Sequence, residues 1–196
     1  MAVPWLLGAP EDVLTSRRAV RHLTEEPISQ PNLVTIIEHA RAAEQAVWPG
    51  ETHGSIGYAI LIGAFRIKGL DPGLYLAGDG KETGRFSTVA DTSWLDSLRV
   101  DYADAACLLL ICADISAACR TGGPGYGPLL IRAGTIGQAA WLSAIDFGLA
   151  GCVYARPHYL VTEAAHRVDG HLSHIFTTSL GMAHRPEQAV GRSLGL

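Results

Sequence analysis

Residues 129–147 read LLIRAGTIGQAAWLSAIDF, and this stretch decides the fold. It predicts one long apolar helix from Leu129 to Phe147, with Gly148 as its stop signal. Gly134, Gly137 and Ala140 follow one another at three-residue steps, and Ala144 comes four later, so small residues line one side. A glycine inside a helix costs roughly 1 kcal/mol relative to alanine, so a close backbone contact must offset it. The expectation is a central helix packed tightly against a partner helix.

Outward from this helix the pattern alternates between helix and strand. Downstream come a strand (Gly151 to Ala155), a helix (Pro157 to Val168) and a last strand (Ile175 to Leu180). Upstream lie a glycine-rich loop (120–128, RTGGPGYGP) and a buried strand from Ala105 to Ala113. A short helix from Asp91 to Leu98 precedes that strand, and residues 77 to 93 read as polar loop. Tyr58 to Phe65 (YAILIGAF) is a continuous apolar run of strand length, which predicts a strand covered on both faces. GLDPGLYL, ending at Leu76, reads as a turn feeding a second strand. Leu33, Ile36, Ile37, Ala40 and Ala43 recur at helical spacing between Pro31 and Val47, with Trp48-Pro49-Gly50 as a stop. Residues 11 to 18 predict a short helix with Glu11 and Asp12 in its first turn. No internal repeat or linker interrupts the order, so the expectation is one α+β domain over 1–196.

The bulk composition excludes several classes. Net charge is −4, which argues against a nucleic-acid or membrane-surface partner. Hydrophobic residues make up 48% and charged residues 17%, an apolar balance that predicts an oligomer with a large apolar interface. Cys107, Cys112, Cys119 and Cys152 match no zinc spacing and read as buried, reduced thiols. The N-terminus has no basic region ahead of a long apolar core, and no apolar run reaches membrane-spanning length. A cytoplasmic protein is the expectation.

Four groups of residues could carry chemistry. Arg17, Arg18 and Arg21 crowd the segment SRRAVRHL (16–23), with Arg17 and Arg21 on one face if the segment is helical. Two readings fit: a solvated basic helix end, or a site for an anion such as a flavin's phosphate or its N1–C2=O edge. Gly151 to Arg156 (GCVYAR) has the look of a strand end with free backbone N–H groups, or of a simple strand-to-helix turn. The glycine-rich loop with Arg120 and Tyr126 is either a pocket cover or a surface turn, and it lacks the Gly-Lys-Ser/Thr of a P-loop. His166, His171 and His174 match no metal-ligand spacing, so no metal is expected. Neither a hydrolase elbow nor a dinucleotide-binding glycine pattern is present.

Taken in order, these segments resemble the nitroreductase superfamily, and within it the SagB-type dehydrogenases that oxidise azolines in peptide natural products. SRRAVRHLTEEPISQPNL is similar to the family's opening Arg-Arg-Ser-x-Arg-x-Phe, followed by Pro-Ile and a helix. FRIKGLDPGLYL resembles the SagB-type GLxPGLY turn, and YGPLLIRAGTIGQAAWLSAIDFGLAGCVYARP resembles the family's central helix and following strand. The closing strand of the family is matched by SLG at 179–181, so the likeness covers most of residues 13 to 181.

The resemblance implies a nitroreductase-like α+β fold, a mixed central sheet flanked by helices, and an intertwined homodimer around the long helix with FMN at its interface. It implies FMN contacts from Arg17, Arg18 and Arg21, from Ser55 and Gln138, and from a late basic residue, Arg192. It further implies main-chain contacts near the flavin N5 from Val153, Tyr154, Ala155 and Arg156. The sequence departs from the family pattern at Ala19, which replaces the motif serine, and at Glu51-Thr52-His53-Gly54-Ser55, which replaces a Ser/Asn segment. Where azoline dehydrogenases carry Lys-Tyr, this chain has Arg120 and Thr121. Arginine does not deprotonate in proteins, and threonine lacks an acidic phenol, so Tyr126 is left as the proton-transfer candidate of that loop.

The function these features imply is an FMN-dependent dehydrogenase or oxidase acting on a small natural-product or peptide-like intermediate, with hydride passing to the flavin N5. Two alternatives stand beside it. One is an NAD(P)H-dependent quinone or nitro reductase; the other is a degenerate family member that scaffolds a biosynthetic partner.

Overall fold

A computed structural model describes residues 14, 17–47, 57–78, 84–91, 93–94, 96, 98, 104–120 and 125–184. Its elements in chain order are β1 (Ile28–Ser29), α1 (Gln30–Val47), β2 (Tyr58–Ala64), β3 (Ile67–Lys68), β4 (Gly73–Ala77) and β5 (Phe86–Ala90). They continue with β6 (Cys107–Asp114), α2 (Ile115–Cys119), α3 (Tyr126–Asp146), β7 (Leu149–Tyr154), α4 (Tyr159–Ala165) and β8 (Leu172–Met182). Six strands form one sheet in the order β5-β4-β2-β6-β8-β7, every neighbouring pair antiparallel. β1 and β3 make a separate two-residue parallel pairing.

The apolar run at 58–65 becomes a central strand because both its faces are covered. Along β2, Ile60, Ile62 and Ala64 enter one core, while Leu61 enters another on the opposite face. β6 divides the same way. Cys107, Leu109, Ile111 and Ala113 face α1 and α3, and Leu108, Leu110 and Cys112 face the layer of α4. This alternation is the two-residue period of a strand, masked in the sequence because both sets are apolar. At ~25 cal/mol per Å² of apolar surface removed from water, these two strands carry a large share of the hydrophobic stabilisation.

α1 and α3 lie together on the first face, held by buried polar pairs that periodicity does not reveal. Arg132 of α3 is ion-paired with Glu44 of α1, and its guanidinium sits 4.7 Å from the Tyr58 ring centroid. The Tyr58 hydroxyl donates to Glu44 Oε2 at 3.3 Å. Burial first, and then the Glu44 charge, push the Tyr58 phenol up to about 12. His39 Nδ1 and Ser143 Oγ add a 2.8 Å contact between the same helices.

Most predicted elements are found, with shifted ends. The glycine stop at 148 is real: Gly148 has φ 71°, and its N–H donates to the Ile145 carbonyl at 2.8 Å. α3 begins at Tyr126, earlier than expected, because its first turn lies inside the glycine-rich stretch. Residues 77–93 are not all loop. β5 pairs with β4 there, and half-buried Phe86 and Val89 pack onto the two cores. The described residues between 93 and 98 are helical, as expected. The expected helix over 11–18 does not reach Arg17 and Arg18, which have no helical structure. Cys119 is exposed, against expectation, whereas Cys107, Cys112 and Cys152 are buried; all four are free thiols. The stop at Trp48-Pro49-Gly50 lies outside the described residues.

The small-residue side of α3 also needs correcting. A Cβ on Gly137 would lie 2.3 Å from Phe176 Cε1 and 2.9 Å from Thr178 Oγ1, so the close neighbour there is strand β8 and not a helix. A Cβ on Gly134 would meet nothing within 4 Å. The two glycines therefore respond oppositely to alanine. Gly137→Ala is expected to cost about 1–3 kcal/mol through overpacking, and Gly134→Ala to add about 0.5–1 kcal/mol through helix propensity, both read by denaturant unfolding.

Candidate functional site

The site lies where the arginine segment meets the outer edge of β7. Ala19 forms an isolated parallel bridge with Gly151, and the Val20 N–H donates to the Gly151 carbonyl at 2.9 Å. The segment is thus laid along the sheet edge as extended chain, which replaces the helical arrangement expected for Arg17 and Arg21. Val20 and Leu23 anchor it by packing against the core on the α4 side. Gly151 is required at this junction, since a Cβ would lie 2.1 Å from the Ser179 carbonyl oxygen.

Alternation along β7 then fixes what faces outward. The Gly151 carbonyl points away from β8, and main-chain groups two residues apart share a side, so the Val153 N–H points outward as well. Beyond the bridge at Gly151, this outer edge has no further strand pairing among the described residues. Ala155 and Arg156 continue from it, exposed and outside the strand. Burial holds the Tyr154 phenol above its ordinary pKa, against a hydrogen bond with Ser179 and the nearby Arg21 charge. The bridge of Ala19 with Gly151 brings the arginine segment to this strand, so two separate sequence signals meet at one edge.

Arg17 is the most informative of the cluster. Its guanidinium carbon sits 4.5 Å from the centroid of the Trp141 ring, on the central helix. Its Nε is buried and has no hydrogen-bond partner among the described residues, and the same holds for Trp141 Nε1. Arg41 and Arg66 also bury an unpartnered Nε, but their terminal nitrogens donate to backbone carbonyls. Among the described residues Arg17 has only the indole face. A buried donor left unmade costs about 1–3 kcal/mol, more when charged, so this geometry suits an arriving acceptor. Gln138 is half-buried one turn before Trp141 on the same side of α3. Arg18 and Arg21 are exposed.

The loop candidates are elsewhere. Tyr126 opens α3 and is 43% exposed, and Arg120 is exposed just after α2. Trp141 lies fifteen positions beyond Tyr126 along the helix, about 22 Å along the axis. One chain therefore does not bring Tyr126 to its own Arg17. Ser55, Arg192 and the loop residues 121–124 lie outside the described residues.

Sequence reasoning weighed His174 only as a metal ligand and missed its structural role. It is buried at a register shift in β8, opposite Cys112, and it pins the chain that leaves the site. Its Nδ1 accepts the His158 N–H at 2.9 Å, and its own main-chain N–H donates to Thr162 Oγ1 at 3.0 Å. Nε2 lies 3.0 Å from the Phe176 carbonyl and 2.9 Å from Thr177 Oγ1. An Nδ1 that accepts cannot carry a proton, so the ring is neutral with its N–H on Nε2. His166 and His171 are exposed, and no group of three metal-binding side chains occurs among the described residues. No helix among them is long and apolar enough to cross a membrane.

Comparison with solved structures gives the fold a name. A protein of Anabaena variabilis assigned as a nitroreductase superposes with TM-score 0.66 at 19% identity, over 89% of this chain and 38% of that one. The E. coli microcin synthetase McbBCD complex with truncated pro-MccB17 bound gives 0.64 at 16%, over 91% of this chain and 74% of that one. An FMN-dependent nitroreductase of Clostridium difficile gives 0.58 at 15%, over 92% and 91%. This chain thus spans about two fifths of the Anabaena protein and most of the other two. No protein-family model and no curated protein matches the sequence. The fold is nitroreductase-like α+β, a six-stranded antiparallel sheet flanked by helices.

His174 makes stability depend on pH. Burial, together with the His158 charge, lowers its pKa from 6.5 to about 4, against the pull of the Phe176 carbonyl. Between about pH 6.5 and pH 4 the unfolded chain binds the extra proton, so stability falls as pH falls through that window. The expected loss from this group is about 3 kcal/mol at the acid end. Denaturant unfolding at pH 7 and pH 4 should show a smaller acid loss for His174→Gln than for the native chain.

Proposed function

We propose that the chain holds FMN at the junction of residues 17–21, β7 and α3, and works as an FMN-dependent dehydrogenase or oxidase on a small natural-product or peptide-like intermediate. The observation that carries this is Arg17, a cation stacked on Trp141 with a buried Nε that no other described residue satisfies. The residues present fit the cofactor's chemistry: guanidinium groups suit a phosphate or an anionic ring edge, and a fixed main-chain N–H suits a ring heteroatom.

In this reading Arg17, Arg18, Arg21 and Gln138 hold the cofactor with main-chain groups of Val153, Tyr154, Ala155 and Arg156. Ser55 and Arg192 join them on the strength of the sequence resemblance. Bound FMN supplies a two-electron acceptor, chemistry that side chains alone lack. Arg21 keeps positive charge beside the strand edge, next to Tyr154. The Tyr154 phenol, with its raised pKa, stays protonated at neutral pH and can donate but not act as base. The Val153 N–H is held in direction by the ladder between β7 and β8.

Tyr126 and Arg120 are assigned to the substrate side, where Tyr126 or a water takes the substrate proton. Because Tyr126 lies at the far end of α3 from Arg17, it serves the site of a second copy in a homodimer built along this helix. That the microcin synthetase complex was solved with truncated pro-MccB17 bound supports a peptide-like substrate.

The test is the absorbance spectrum of the purified protein. A flavin spectrum is expected, and Arg17→Ala should weaken FMN binding by at least about tenfold, the worth of a charged hydrogen bond. A colourless protein that takes up no added FMN would falsify the reading. Rapid bleaching of bound flavin by NADPH would instead make the chain a quinone or nitro reductase.

A further inference from the structure

Arg17 and Trp141 present a shared demand that neither can meet for the other. The indole Nε1 and the guanidinium Nε are donors only, with no acceptor atom on either side chain. Their stacking at 4.5 Å gives a cation–π contact but no hydrogen bond. Trp141 is 2% exposed, so water does not satisfy its N–H, and Arg17 Nε is likewise buried. Two unpartnered donors, one of them charged, thus lie against each other beside the bridge of Ala19 with Gly151. A group that satisfies both offers two acceptor sites and negative charge. A phosphate monoester offers three oxygens and carries its charge in every redox state. The flavin ring edge offers N1 and the C2 carbonyl oxygen, but gains negative charge only on reduction.

The geometry points to Trp141 as a phosphate-binding residue: its indole N–H and the Arg17 Nε–H take two oxygens of one phosphate monoester. This rests on the FMN reading above and deepens it by assigning the phosphate, and not the ring, to the Arg17 end of the site. The tryptophan then has two jobs, a face that supports the guanidinium and an edge that donates.

Trp141→Phe keeps an aromatic face and removes the N–H. In flavin-free protein, FMN and riboflavin are titrated by flavin fluorescence, and inorganic phosphate is assayed by its effect on the thermal midpoint. Trp141→Phe is expected to weaken FMN about ten- to hundredfold while riboflavin changes by less than about twofold, the range for one hydrogen bond to a charged group. Protection of the native chain by phosphate should be lost in the variant. Equal weakening of both flavins, or no weakening of either, overturns the assignment. Should Trp141→Phe fail to fold, Arg17→Lys keeps the charge but loses Nε–H, and the same FMN-selective loss is expected. A native chain protected by phosphate that binds neither flavin keeps the phosphate site and removes the FMN reading. One that binds neither flavin nor phosphate removes both.

Discussion

Two-sided burial of β2 and β6 is the constraint from which the rest follows. Neither strand has a face that can meet water, since both sets of alternating side chains are apolar. Each strand must also have its main-chain groups paired along both edges. The sheet meets this by flanking β2 with β4 and β6, and β6 with β2 and β8. The helices meet it by dividing between the faces, α1 and α3 on one and α4 on the other. Buried polar groups survive in this arrangement where they close on one another, as Glu44, Arg132 and Tyr58 do.

The candidate site occupies the place where that closure lapses. Among the described residues, β7 has one neighbour in the sheet, and the only strand-like contact on its other side is the bridge to Ala19. What collects there is an excess of donors: Arg17, Trp141 and the outward N–H of Val153, with the Arg21 charge nearby. The His174 ring, by contrast, has its Nδ1 and Nε2 both matched to partners. An imbalance of one sign at a sheet edge points to an acceptor-rich, anionic ligand, which is why the phosphate and the flavin ring edge fit it.

Legibility in the sequence followed the strength of each periodic signal. α1 was readable because Leu33, Ile36, Ile37 and Ala40 mark one face, and all four are fully buried. β5 was not, because its residues 87 and 88 are exposed and the strand exists by pairing with β4. Gly137 was recognised as a close contact, but its partner was not, since a missing side chain records proximity without saying to what. His174 was noticed as a histidine but its role was not readable, because that role depends on a register shift in β8 and on His158 and Thr162 packing against it.

The sequence by itself determined the layered α+β organisation, the central helix, and the presence of an arginine cluster and a strand end with chemical potential. It could do so because hydrophobic period and residue type are local properties. Only the tertiary structure decided that Ala19 bridges Gly151, that Arg17 leaves the expected helix to stack on Trp141, and that Tyr126 stands a helix length away. The physical reason is that pairing between residues more than a hundred positions apart follows from which buried groups can satisfy one another. That is settled by packing, and in the Arg17 and Trp141 pair packing leaves both donors without an acceptor among the described residues.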